Sequence, residues 1–88
     1  LMLPDEQIPL EKTRRGRKGE QTREHILSTA LERFAAKGYG ATTMRDIATD
    51  AGVSLGLTYR YFASKEELVI ALYERLVGEL EEEAKNLP

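Results

Sequence analysis

From Gln21 onward, apolar side chains return every three to four positions. Ile26, Ala30 and Phe34 form one ridge and Leu27, Leu31 and Ala35 the next, which predicts an amphipathic helix over Gln21 to Lys37. Gly38 supplies its stop, and Tyr39 just beyond is placed to fold back on the last turn. Thr43 then caps a second helix, with Asp46 three residues on near the positive helix end. This helix runs to Ala51 with Met44, Ile47, Ala48 and Ala51 inward and Arg45 and Thr49 together on another face. After Gly52, Ser54 caps a short third helix that turns Thr58 and Phe62 inward. Ser64 with Glu67 reads as a capping box opening a long fourth helix, along which Leu68, Leu72, Leu76 and Leu80 form one ridge beside Val69, Tyr73 and Val77. No repeat and no strand-like alternation occurs, so the class is all-α: a three-helix head followed by a long fourth helix.

Composition narrows this further. At 88 residues, 41% of them hydrophobic, the chain holds one small core and no more. The lack of cysteine removes disulfides and thiolate metal sites, and no apolar run approaches the roughly 20 residues that span a bilayer. A soluble, reducing, cytoplasmic setting is therefore expected. The first residue is Leu1 and the opening stretch has no secretion-signal core, which reads as a trimmed rather than a targeted start. The formal charge of −2 hides a strong asymmetry, because Lys12 to Lys65 holds eleven Lys or Arg against five Asp or Glu while both ends are acidic. Such a basic middle can face phosphate, and the local patch governs binding more than the total.

The stretch from Met44 to Tyr61 has the spacing of a helix-turn-helix. Ala48 is small enough for two helices to cross closely, Gly52 can take positive φ in the short turn, and Ile47, Ala51 and Val53 fill the space between the helices. The arrangement presents the helix at Ser54 to Phe62 to a major groove. The whole segment ATTMRDIATDAGVSLGLTYRYFASKEEL resembles the signature of TetR-type transcriptional repressors, and the likeness extends from about Thr22 to Leu76. Gly52-Val53-Ser54 stands where that family opens its recognition helix, Tyr59 five residues after the Ser, Tyr61 and Phe62 as the closing aromatic pair, and Ser64-Lys65-Glu66 at the start of helix four. Two features depart from the family: Thr58 replaces an aliphatic residue, and Leu55 and Leu57 flank Gly56 where many members carry polar groups.

The resemblance implies a sequence-specific, ligand-responsive repressor that binds a palindromic operator as a homodimer. It further implies a small-molecule effector held by a larger domain outside these residues. It divides the chain into a flexible basic arm over 1–20, a DNA-binding head over 21–63 and a linking helix over 64–88. The base contacts it implies are Arg45, whose guanidinium can read guanine, and Leu55, Gly56, Leu57 and Tyr59, where leucines pack on thymine methyls and Gly56 permits close approach. A leucine turned into the core is the competing reading for each. Thr43, Arg60, Tyr61 and Lys65 are implied phosphate contacts. Tyr61 reads alternatively as a core aromatic, Arg45 and Arg60 as solvated charges. Arg14, Arg15, Arg17 and Lys18 read as minor-groove or backbone contacts, with a solvated tail as the alternative. His25, the only histidine, reads as a surface residue. No metal or cofactor is expected. An enzyme needs a nucleophile, base and orienting group in a cleft, which one histidine and scattered carboxylates do not supply. The remaining competitor is a helical protein-interaction module.

Overall fold

A computed structural model describes residues 10–87, with side chains from Lys18 on. Four helices follow one another: α1 (Leu10–Lys37), α2 (Met44–Ala51), α3 (Leu55–Tyr61) and α4 (Lys65–Lys85), with no strand among the described residues. The all-α head with a long trailing helix is the architecture the pattern predicts. One boundary is corrected. The first helix begins at Leu10 rather than Gln21, so the arm expected over 1–20 is helical from Leu10 on. Leu, Glu, Lys and Arg dominate residues 10–20, and their helix propensity outweighs a cost of about 1 kcal/mol at each of Gly16 and Gly19. Residues 1–9 and the side chains of Arg14, Arg15 and Arg17 lie outside the described residues.

The core forms where the three short-range faces meet. Ile26, Leu27 and Ala30 of α1, Met44, Ile47 and Ala51 of α2, Phe62 after α3, and Leu68 and Ala71 of α4 are buried together. Thr58 is also buried, and its hydroxyl donates to the Ser54 carbonyl at 3.0 Å, which satisfies the polar group the family-like pattern leaves in an apolar place. At the end of α1, Gly38 takes φ 89° and the rings of Phe34 and Tyr39 stand 5.2 Å apart, so the aromatic does fold back on the last turn.

The ridges of α1 and α4 both extend past the core. On α1, Leu31 is 49% exposed and Ala35 exposed; on α4, Leu76 and Leu80 are 54% and 56% exposed and Tyr73 67%. The α4 face that packs on α1 is Leu68, Ala71 and, through charge, Arg75, which reaches Glu24 and the Ser28 hydroxyl.

Candidate nucleic-acid interface

α2 is held at both ends. Thr43 Oγ1 accepts the Asp46 amide at 3.0 Å while the Thr43 amide donates to Asp46 Oδ2 at 2.9 Å, a closed capping box worth about 1 kcal/mol. Nη1 of Arg33 on α1 donates to both carboxylate oxygens of Asp50 at 2.9 and 3.1 Å while its Nη2 lies 3.7 Å from Asp46, so one guanidinium spans two acids one turn apart on α2. At the other end, His25 Nε2 lies 2.9 Å from the Ala51 carbonyl oxygen; a carbonyl only accepts, so this nitrogen carries the hydrogen and donates. Gly52 then takes φ 71°, and the Val53 amide reaches back to the Ala48 carbonyl at 3.0 Å, which closes the helix and turns the chain. Substituting Gly52 with any residue bearing a Cβ strains this turn.

Ser54 opens α3 by accepting the Leu57 amide at 3.0 Å. The helix then offers three faces. Leu55, Thr58 and Phe62, at i, i+3 and i+7, lie toward the core, with Leu55 half-buried against it. Leu57 and Tyr61, one turn apart, share a hollow with Lys18, Gly19 and Thr22 of α1. Tyr61 Oη comes within 3.3 Å of where a Cβ on Gly19 would stand, so the glycine leaves room for the phenol. Gly56, Tyr59 and Arg60 remain exposed, and on α2 so do Thr43 and Arg45.

The expected contacts therefore separate. Arg45, Gly56, Tyr59 and Arg60 are exposed, as is Thr43 although its hydroxyl and amide are taken up by the cap, and among the described residues neither arginine has an ion-pair partner. Leu55 and Leu57 are partly withdrawn, each showing only an edge to solvent. Tyr61 is half-buried beside α1, between the phosphate and core readings. Lys65 is half-buried too, its ammonium donating to the Tyr39 carbonyl at 2.9 Å and standing 4.2 Å from the centre of the Tyr39 ring. At the start of α4 Ser64 accepts the Glu67 amide, but the Glu67 carboxylate takes the amide of Ala63, one residue further back than an ordinary capping box. Among the described residues no group of side chains could hold a metal ion, and no helix is long and apolar enough to cross a membrane.

Three groups titrate away from their ordinary values. The Thr43 amide and hydroxyl hold the Asp46 carboxyl below its usual 3.8, with Arg33 adding to the effect. Glu66 is held down by its own helix-end amide and the Ser64 hydroxyl. The Tyr39 phenol is pushed up by burial and by the Glu66 carboxylate beside it. A depressed carboxyl stabilises the fold above its unfolded value and loses that contribution as pH falls through its folded value. Asp46→Asn is therefore expected to lower the melting temperature at pH 7, and the gap to the parent chain is expected to narrow as pH falls below 3.8. A gap that stays constant from pH 7 to pH 2, followed by circular dichroism, would exclude the charged cap as its cause.

The long-range partners of His25, Arg33 and Tyr39 are what sequence reasoning did not find. Each lies 17 to 26 positions away, a distance at which helical periodicity carries no signal. Residues 26–72 match the model for bacterial regulatory proteins of the tetR family. The chain is similar to the uncharacterised HTH-type transcriptional regulator YerO of Bacillus subtilis, 37% identical over 67 residues that make up 76% of this chain and 23% of the relative. It is 40% identical over 65 residues to the HTH-type transcriptional regulator AcrR of Shigella flexneri, covering 70% of this chain and 30% of that protein. With the HTH-type transcriptional repressor KstR2 of Mycobacterium tuberculosis it shares 51% of 47 residues, 53% of this chain and 24% of that one. The matched segment thus spans less than a third of the length of these relatives.

Proposed function

The chain belongs to the TetR family of bacterial regulatory proteins, DNA-binding transcriptional regulators rather than enzymes, and from that premise we propose that it represses transcription by placing α3 in the major groove of a palindromic operator. The observation that carries this reading is the free face of α3 and α2. Gly56, Tyr59 and Arg60 on α3 and Arg45 and Thr43 at the start of α2 are each exposed, on a helix-turn-helix held by its caps and by α1. Arg45 reads a guanine edge and Tyr59 reaches a base from the rim of α3, while Leu55 and Leu57 give their exposed edges to thymine methyls. Thr43, Arg60, Tyr61 and Lys65 hold phosphates, joined by Lys18 and by one of the arm arginines Arg14, Arg15 and Arg17, the other two lying along the minor groove. Residues 64–88 act as the link to a domain that dimerises and binds a small-molecule effector, and the regulator works in the cytoplasm as a homodimer. Effector binding then acts by favouring one spacing of the two heads over another.

The test assigns roles by substitution. Arg45→Ala and Tyr59→Ala are each expected to relax preference at defined base pairs by roughly 1–3 kcal/mol, whereas Lys65→Ala weakens all sequences alike. Selection from a random library with each variant reads this directly, and a changed preferred sequence for Lys65→Ala would reverse the assignment.

Gly56 gives a second test of opposite sign. Its φ is not positive and nothing lies within 4 Å of where a Cβ would stand, so the fold itself does not require glycine. Gly56→Ala is expected to stabilise the fold by roughly 0.5–1 kcal/mol and to weaken operator binding, because the space it fills is the space the groove needs. Tighter binding together with higher stability would show that α3 does not approach DNA at Gly56.

A further inference from the structure

Lys65 is a flexible side chain with three donors, and two of its directions are already occupied. Its ammonium donates to the Tyr39 carbonyl at 2.9 Å and stands 4.2 Å from the centre of the Tyr39 ring. The ring itself is held: it packs tilted at 56° against Phe34 with centroids 5.2 Å apart, and the turn that carries it is tied down by Gly38 at φ 89° and by the buried Thr42 hydroxyl, which donates to the Gly38 carbonyl at 2.8 Å. The Glu66 carboxylate lies beside the phenol, in the hollow that both residues line. We infer that Tyr39 is a positioning residue for DNA binding, a seat that holds the Lys65 ammonium in one place with its remaining donor free for a backbone phosphate. This rests on the phosphate role proposed for Lys65.

The physical gain is in ordering. A solvated lysine loses its rotamer freedom when it meets a phosphate, whereas a lysine already held by a ring and a carbonyl loses little. The seat carries no information about bases, so its effect is the same on every sequence.

The experiment measures affinity of the chain for two duplexes of equal length, one selected by the parent from a random library and one unrelated. Tyr39→Leu removes the ring face and is expected to lower affinity about two- to twelvefold on both duplexes. In a Lys65→Ala background the same substitution is expected to change nothing, since the group it seats is gone. Tyr39→Phe keeps the ring and is expected to bind as the parent does. An equal loss from Tyr39→Leu in both backgrounds, or no loss in either, overturns the inference and leaves the phosphate role of Lys65 standing. Unchanged affinity of Lys65→Ala for both duplexes overturns that role and the inference with it. One measurement needs no variant: in the proton spectrum of the parent chain the Lys65 ε-methylene should be shifted upfield by the ring current of Tyr39, free and DNA-bound. An unshifted ε-methylene in the DNA-bound chain overturns the seat directly.

Discussion

Raising the salt concentration fourfold is expected to weaken DNA binding by this chain roughly 150-fold. The estimate takes about four neutralised phosphates and a slope of about −0.9 for each. The cations in question are Arg60 and Lys65 on the helix-turn-helix side, Lys18 on α1, and one arginine from Arg14, Arg15 and Arg17. The acidic residues between Glu66 and Glu83 lower the overall charge to −2 but lie on α4, which packs mainly on α1, so the basic segment can act locally. If only Arg60 and Lys65 meet phosphates, the same change in salt weakens binding only about 12-fold, so the slope counts the contributors. Shortening the chain to begin at Lys18 should then reduce the slope by about one. A flat response between about 50 and about 200 mM salt would remove the electrostatic basis of the DNA-binding reading.

The parts of this molecule that were legible beforehand are those set by local chemistry. Thr43, Ser54 and Ser64 cap the helices they were expected to cap, Gly52 has the left-handed backbone its place in the turn requires, and Thr58 bonds to its own helix. Periodicity placed Ile47, Ala48, Ala51 and Phe62 inside correctly, because α2 and α3 are short and each has only one face to bury. On the long helices it says less, because a ridge continues whether or not a neighbour is there to cover it: Leu31 shares a ridge with the buried Leu27 and is exposed, and Leu76 and Leu80 continue the ridge of Leu68 past the reach of the head and are exposed too. The start of α1 was misplaced for the converse reason, since residues 10–20 have helix propensity without an apolar stripe. Within the interface, the exposure of Arg45, Tyr59 and Arg60 followed from helix faces. The bonds that orient α2 and Lys65 did not, because Arg33 with Asp50, His25 with Ala51 and Lys65 with Tyr39 are met only after the helices pack. Pairings of that range are settled by the fold as a whole and leave no trace in a window of ten or fifteen residues.

The apolar surface of α4 leads to the largest expected effect. Val69, Ile70, Tyr73, Leu76 and Leu80 are all 43% or more exposed, and Leu31 of α1 borders the same groove, so the head as described does not cover its own fourth helix. Exposed apolar area of this kind marks a surface that another element buries. In the proposed function that element belongs to a domain that pairs two chains, which sets their α3 helices about one turn of DNA apart, roughly 34–36 Å, to match the halves of a palindrome. A single head meets only one half-site and gains nothing from the other. These 88 residues are therefore expected to be monomeric or weakly associated and to bind a lone half-site poorly. Fusing an unrelated dimerising coiled coil after Leu80 converts the second head's binding into an intramolecular event, and affinity for a palindromic site should rise by about 10²- to 10⁴-fold with no new protein–DNA contact. The gain should vanish when the half-sites are moved apart by half a helical turn, since the second head then faces the wrong side of the duplex. Sedimentation showing a tight dimer of the unfused chain would mean that α4 already carries its own pairing surface. A fused dimer that binds the palindrome no better than the monomer would mean that the orientation of α3 relative to α4 does not serve paired half-sites.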